Sequence, residues 1–216
     1  MKRLVIAGLV AIGLGLVALT ILSLVSCVRV PPVPPATRTG AQQYDLAVAI
    51  ETVCIGRDWI PSSKLASGVM VDGRHALTAA HVTACPFPPV VRITLASGES
   101  YRMAIEWESA SKDLARLVIA SAEILHIVPP VIAAPAVDDT VCAAVTMPGR
   151  QLNCGVIESI GSRPRSNIGM SAMIQVGNSG AGVYNRRGEL VGIVSSAAID
   201  QMTGFATRIA GSGVWP

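Results

Sequence analysis

The sequence contains little charge and few aromatic residues. Of its 216 residues, 14% are charged and 4% are aromatic, and the formal net charge is only +3. So weak a positive charge does not favour a nucleic acid as partner, and a chain that is 51% hydrophobic is not a disordered tail. The length suits one domain or two small lobes and excludes a large multidomain assembly. The scarcity of aromatic residues beside 20 glycines favours short, tightly turned strands over a helical bundle.

The first 27 residues have the pattern of an export signal or a membrane anchor. Lys2 and Arg3 precede an uncharged apolar run at residues 4–25, which is longer than most cleaved signals need and long enough to span a bilayer. Residues 24–27 (LVSC) resemble the lipobox of bacterial lipoproteins, in which the cysteine is lipidated. We predict a lipoprotein-type signal with lipidation at Cys27, the alternative being a retained membrane helix. Both place the remaining chain outside the cytoplasm, tethered to a membrane of the cell envelope.

A proline-rich segment follows the apolar run. Residues 28–43 contain four closely spaced prolines and no periodic apolar face. Such sequences favour an extended polyproline conformation, which rises about 3.1 Å per residue. We predict a linker here, with a folded domain over residues 44–216.

Beyond the linker, apolar residues alternate with polar ones at a period near two. Tyr101, Met103, Ile105 and Trp107, for example, lie on one face of a predicted strand. The pattern predicts an all-β fold with two sets of six strands, joined by a connector that contains three prolines. We expect two antiparallel barrels, the first at about 44–122 and the second at about 138–210. The predicted strands are 46–54, 66–72, 75–78, 90–96, 100–108, 114–120, 140–147, 151–160, 167–174, 181–185, 189–196 and 203–209.

Four cysteines follow Cys27, and none of them forms a Cys-x-x-Cys motif. In an exported chain an even number favours disulfides over metal ligation. Three pairings are possible, of which sequence neighbourhood favours Cys54 with Cys85 and Cys142 with Cys154. The alternative is a set of free buried thiols in a chain that never meets an oxidant.

Three short segments contain the side chains that could perform chemistry. They are TAAH at 78–81, DLARL at 113–117 and GNSG at 177–180. His81 directly follows an apolar strand, Asp113 begins another, and Ser179 is surrounded by small residues. Each alone has an ordinary structural explanation, as a structural histidine, a turn carboxylate and a flexible glycine turn. Together they supply the base, carboxylate and hydroxyl that nucleophilic catalysis by serine needs.

In this order the three segments resemble the motifs of the chymotrypsin/trypsin-like serine protease family. That family reads T-A-A-H around its histidine, D-hydrophobic-A-x-hydrophobic around its aspartate and G-[DN]-S-G around its serine. Here 32 residues separate His81 from Asp113, and 66 separate Asp113 from Ser179. The resemblance covers about residues 45–209. It implies two six-stranded antiparallel β-barrels with the site in the cleft between them.

The resemblance also implies roles for individual residues. His81 would accept and return a proton, Asp113 would orient its ring, and Ser179 would be the nucleophile. The backbone N–H groups of Gly177 and Ser179 would form the oxyanion hole. The implied substrates are proteins or peptides, without nucleic acid, and no metal or organic cofactor is required.

The sequence departs from the family pattern at positions that bear on activation and specificity. Asn178 replaces the aspartate that pairs with a freshly cut N-terminus in digestive members, so we do not expect activation by that ion pair. Met173 stands where an acid selects Arg or Lys, and Val194 stands where members that cleave after Glu have a histidine. A small or medium apolar P1 side chain is therefore expected. The predicted pocket residues are Met173, Ile174, Ser195, Ser196, Ala197 and Gly204.

The expected function is that of an exported, membrane-tethered serine endopeptidase that hydrolyses peptide bonds through an acyl-enzyme. The alternative is a catalytically inactive protein of the protease fold, with a binding or assembly role in the cell envelope. The two differ in whether the hydroxyl of Ser179 is reactive.

Overall fold

The computed structural model describes residues 45–161, 167–197 and 203–214. The predicted export segment at 1–27, with the predicted lipidation site Cys27, and the predicted linker at 28–43 lie outside the described residues. Within the described ranges, no helix is both long enough and apolar enough to cross a bilayer.

The first half of the described chain forms a closed antiparallel barrel. Its strands are β1 (Ala47–Ile55), β2 (Pro61–Met70), β3 (His75–Thr78), β4 (Val90–Thr94), β5 (Ser100–Ser109) and β6 (Leu114–Ile119). They pair around the barrel in the order β1-β2-β3-β6-β5-β4. Alternation sets which face is inside: Met103 on β5 is buried, whereas Arg102 and Ala104 on either side of it are exposed. One helical turn, α1 (Ala80–Thr83), follows β3.

The second half forms another closed antiparallel barrel of the same size. Its strands are β7 (Thr140–Val145), β8 (Gln151–Ile160), β9 (Ile168–Met170), β10 (Gly182–Asn185), β11 (Leu190–Ala197) and β12 (Gly204–Arg208). They pair in the order β10-β11-β12-β9-β8-β7. A bulge interrupts β11, because Val194 pairs with Ala206 while Ser196 pairs with the adjacent Phe205 of β12. The residue left over between them is Ser195.

The predicted fold of two six-stranded antiparallel barrels is confirmed, and the strand positions differ from the prediction mainly at two places. β2 begins at Pro61 instead of 66. Its first five residues are exposed and show no apolar period, so the pattern did not predict them as strand, but they pair with β1 through the backbone. β9 ends at Met170 instead of 174. The residues after it include the buried Ala172 and Ile174, but they leave the ladder and form a loop.

Each barrel has an apolar core. Leu77 and Ile93 are fully buried in the first, and Ile157 and Ile168 in the second. Burying a side chain of this size stabilises the fold by about 1.5–3 kcal/mol. Ile193 from the second barrel packs into the core of the first, so the two barrels share an apolar contact region.

Two disulfides cross-link the barrels internally, one in each. Cys54 on β1 is joined to Cys85, just beyond α1, and Cys142 on β7 is joined to Cys154, its register partner on β8. These are the two pairs that sequence neighbourhood favoured.

Candidate active site

His81 lies in the single helical turn that follows β3. The strand ends at Thr78, and α1 then lifts the imidazole out of the barrel, so that the side chain is 41% exposed. Lys64 holds this turn, because its Nζ donates hydrogen bonds to the carbonyls of His81 and Ala84 over 3.3 and 2.5 Å. The ring is therefore accessible but mounted on an anchored turn.

Asp113 directly precedes β6 and is only 2% exposed. Its φ of +53° lies in the left-handed region, which aspartate tolerates better than most residues. Both carboxylate oxygens lie 3.0 Å from His81 Nδ1, and Oδ1 also accepts the backbone N–H of His81 at 3.0 Å. One buried carboxylate thus holds both the ring and the main chain of His81.

Ser195 makes a further contact with this carboxylate. The bulge in β11 inserts Ser195 as an extra residue, and a bulge of this kind re-aims a side chain. Its hydroxyl donates a hydrogen bond to Asp113 Oδ2. Burial by itself would raise the pKa of Asp113, but the hydrogen bonds from the His81 ring, the Ser195 hydroxyl and the His81 amide lower the pKa to about 2. Asp113 is therefore ionised at neutral pH.

The charge of Asp113 determines which ring nitrogen of His81 carries the proton. An ionised carboxylate can only accept hydrogen bonds, so the 3.0 Å contact requires a proton on Nδ1. In the neutral ring, Nε2 then has a free lone pair and can take up a proton. The carboxylate behind the ring stabilises the resulting imidazolium.

Ser179 lies in the segment between β9 and β10, where main-chain contacts fix it against both barrels. Its carbonyl accepts the N–H of Ser67 on β2 at 2.9 Å, and the N–H of Gly180 donates to Val194 on β11 at 2.8 Å. Gly180 has a φ of +86°, and a Cβ there would lie 2.1 Å from Ser67 O and from Thr78 Oγ1. Only glycine permits this close approach to the strand that leads into α1.

The Ser179 hydroxyl is half-buried and, within the described residues, makes no hydrogen bond, whether to His81 or to another group. The backbone N–H groups of Gly177 and Ser179 also donate to no acceptor in that part of the chain. Gly177 has a φ of +92°. Two unused amide donors beside an unused hydroxyl are the groups that a developing oxyanion next to a serine would engage.

The model of the trypsin-like peptidase domain family matches residues 66–193, which is more than half of the chain and includes His81, Asp113 and Ser179. The chain belongs to the trypsin-like peptidase family. Membership supports a serine-protease-type hydrolase function and implies that the substrates are proteins or peptides. No curated protein matches the chain significantly.

The residues predicted for the pocket of this trypsin-like peptidase domain lie near one another but differ in exposure. Ser196 and Ala197 end β11, and Gly204, which begins β12, pairs with Ala197. A Cβ on Gly204 would lie 2.4 Å from Ile174 Cγ1, so these two residues are in close contact. Met173 is 56% exposed, whereas Ile174 is buried. Ser195 was also predicted for the pocket, and its hydroxyl is directed at Asp113.

A buried polar link, which the sequence patterns did not predict, joins the two barrels of this trypsin-like peptidase domain. Ser67 Oγ donates to the carbonyl of Gly177 at 3.0 Å and accepts the N–H of Thr146 at 3.1 Å. Thr146 Oγ1 lies 3.0 Å from both Ser67 Oγ and the carbonyl of Val48 on β1. The available signal was Ser67 itself, a hydroxyl that directly precedes the apolar end of a predicted core strand.

Proposed function

We propose that this domain is the catalytic part of an exported, membrane-tethered serine endopeptidase that uses His81, Asp113 and Ser179. The observation that carries the proposal is the buried, ionised Asp113, which holds both the ring and the main chain of an accessible His81. A histidine held in this way, close to the strands against which Gly180 packs, is the base that a serine nucleophile requires.

In the proposed reaction, Ser179 Oγ attacks the carbonyl carbon of the scissile peptide bond while its proton passes to His81 Nε2. The new C–O bond creates a tetrahedral oxyanion, which the amides of Gly177 and Ser179 stabilise. The C–N bond then breaks, Nε2 returns the proton to the leaving amine, and an acyl group remains on Ser179. Water hydrolyses this ester by the same proton transfers. These steps require neither a metal nor an organic cofactor.

The proposal requires a rotation of the Ser179 side chain towards His81 when substrate binds. Catalytic hydrogen bonds of this kind are often long or poorly aligned in the free enzyme and tighten only in the complex with substrate. The backbone on both sides of the Ser179 side chain is held by hydrogen bonds, from Ser67 N–H to the Ser179 carbonyl and from Gly180 N–H to the Val194 carbonyl.

The proposed substrates have a small or medium apolar side chain at P1. Ile174 occupies the space above Gly204 and would make the pocket shallow. The exposed Met173 brings no charge that would select a basic side chain. A long or charged P1 group would have to displace Ile174 from its buried position.

Export and tethering to the envelope are supported by two features of the chain. The apolar run at residues 4–25 precedes Cys27, and two cysteine pairs lie at disulfide distance, as expected for an oxidising compartment. Metabolic labelling with a clickable palmitate analogue in a bacterial host tests the lipid anchor. We expect labelling of the wild-type chain and none of Cys27→Ser; an unmodified mature chain that begins at Met1 would contradict lipidation.

Hydrolysis of a fluorogenic peptide library tests the enzymatic proposal. Asp113→Asn should lower kcat by about 10⁴-fold, because the neutral amide no longer stabilises the correct tautomer and the imidazolium. Asp138→Asn is the matched control, since Asp138 is exposed and also has a left-handed φ, of +68°. It should retain activity within twofold. A folded wild-type chain that cleaves no peptide would favour the binding or assembly role.

A further inference from the structure

The loop that leads to Ser179 has little apolar burial to hold it in place. After β9 the chain leaves the ladder, and Met173, Gln175 and Val176 are all exposed, with Val176 93% accessible. Ile174 is the buried anchor of residues 173–176. Because so little of the loop is buried, polar contacts must supply much of its rigidity. The loop matters because its conformation sets the direction of the Gly177 amide.

Asn178 supplies three of these contacts from inside the loop. It is fully buried, its Oδ1 accepts the N–H of Gln175 at 2.9 Å, and its Nδ2 donates to the carbonyl of Met147 at 2.8 Å. Its Oδ1 also accepts a hydrogen bond of 3.3 Å from Asn153 Nδ2. All these groups are neutral, so the loop is held without an ion pair.

Asn153 is the part of this network that lies on a rigid strand. It pairs with Ala143 in the ladder between β7 and β8, next to the Cys142–Cys154 disulfide. Its amide Nδ2 donates to the carbonyl of Met173 at 2.7 Å as well as to Asn178. One side chain therefore connects both ends of the segment 173–178 to the second barrel.

We propose that Asn153 is a positioning residue that holds the 173–178 loop, through Met173 and Asn178, in the conformation that directs the Gly177 amide at the oxyanion. The proposal rests on the proposed function and adds to it a residue that touches neither substrate nor nucleophile. In this proposal the neutral hydrogen bonds of Asn153 and Asn178 keep the loop in its catalytic conformation.

Asn153→Asp is the direct test, because it keeps the shape of the side chain and replaces its donor by a second acceptor. Both present partners of Nδ2 are oxygen atoms, so a carboxylate would repel them. Gln151→Glu is the matched control: it makes the same change of charge two residues earlier on the same face of β8. The Gln151 side chain is exposed and makes no hydrogen bond within the described residues.

The measurements are kcat and KM for a peptide substrate, the rate of reaction with a small fluorophosphonate that has no P1 side chain, and Tm. Loss of one oxyanion donor costs about 10²–10³-fold in rate. For Asn153→Asp we expect kcat and the probe rate to fall at least tenfold, with KM within about threefold of wild type and a folded protein by Tm. Gln151→Glu should stay within twofold of wild type in kcat, KM and the probe rate, with an unchanged Tm.

Four results would overturn the inference. Wild-type rates in Asn153→Asp would show that the loop needs no support from this residue, and equal losses in both variants would show a general effect of charge. If Asn153→Asp does not fold, Asn153→Ala removes the donor without adding charge, and wild-type rates there would also reject the proposal. A wild-type chain that neither cleaves peptides nor reacts with the probe would reject the proposed function, and this inference with it.

Discussion

The hydroxyl of Ser67 in the first barrel donates a hydrogen bond of 3.0 Å to the carbonyl of Gly177 in the second, 110 positions later in the chain. The backbone N–H of the same Ser67 donates to the carbonyl of Ser179. A single buried residue of β2 thus holds the carbonyls of Gly177 and Ser179, the two residues that flank Asn178. Contacts between the two barrels therefore hold the candidate site in place.

Replacing Ser67 by alanine should weaken the site and the fold together. The carbonyl of Gly177 and the amide of Thr146 would lose a buried partner, at a cost of about 1–3 kcal/mol of unfolding free energy. We expect kcat/KM to fall about tenfold or more, because the peptide unit between Gly177 and Asn178 loses a partner and holds the neighbouring amides of Gly177 and Ser179 less firmly. Urea unfolding and steady-state kinetics check both effects. Ser63→Ala, on the exposed half of the same strand, should change neither; equal losses there would contradict the assignment.

Removing the Ser195 hydroxyl should change how stability depends on pH. The folded-state pKa of Asp113, about 2, lies below its ordinary value of 3.8, so this ionised group stabilises the fold above about pH 4. The stabilisation is lost as the pH falls from about 4 towards 2. Ser195→Ala removes one of the hydrogen bonds that lower the pKa, so the variant should be less stable than wild type at pH 5–7. The difference should shrink below pH 3.

Urea unfolding at a series of pH values measures this difference, with Ser62→Ala as a control on an exposed part of β2. A gap between Ser195→Ala and wild type that stays constant down to pH 2 would mean that the hydroxyl does not act through the charge of Asp113.

Shortening Ile174 should enlarge the accepted P1 side chain. Ile174→Ala removes the atoms that lie over Gly204, and a single methylene gained or lost in an apolar pocket already alters selectivity by about 10–200-fold. We expect the kcat/KM ratio of a P1 Leu peptide to a P1 Ala peptide to rise at least tenfold. The variant will also lose about 2–5 kcal/mol of stability through the cavity, so assays belong well below its Tm. An unchanged kcat/KM ratio would show that Ile174 does not line the P1 pocket.

Breaking the disulfide next to α1 should reduce stability more than breaking the other. The Cys54–Cys85 bond closes a loop of 31 residues and the Cys142–Cys154 bond one of 12. In the chain-entropy model these are worth about 3.7 and about 2.8 kcal/mol. Thermal unfolding of the two double serine variants checks this order. Cys54→Ser with Cys85→Ser should also lower kcat, because Cys85 anchors the end of the turn that bears His81; a reversed order of Tm would contradict this account.

The sequence pattern predicted the fold because the strands alternate. Met103 between Arg102 and Ala104 is one instance in which the pattern alone fixes the buried face. The pattern failed where residues pair in a strand without being buried, or are buried without belonging to a strand. The exposed start of β2 pairs without any apolar signal, and Ile174 is apolar and buried although it belongs to a loop.

The motifs predicted the identity of the candidate catalytic side chains, but not the residues that hold them. Asn153, Ser67 and Ser195 act through hydrogen bonds to partners 20–110 positions away, which no local pattern encodes. The aim of Ser195 depends on a bulge in β11, and a bulge changes a side chain's direction without a change in residue type. Such contacts become visible only when the two barrels are brought together.

Activation of the Ser179 hydroxyl by His81 can be tested by mapping where a fluorophosphonate attaches. Folded wild-type chain should gain one phosphonyl group, located by peptide mass spectrometry on Ser179. His81→Ala should react at least 10³-fold more slowly, and Ser179→Ala not at all. A folded wild-type chain that gains no adduct, or gains it on another residue, would contradict the account.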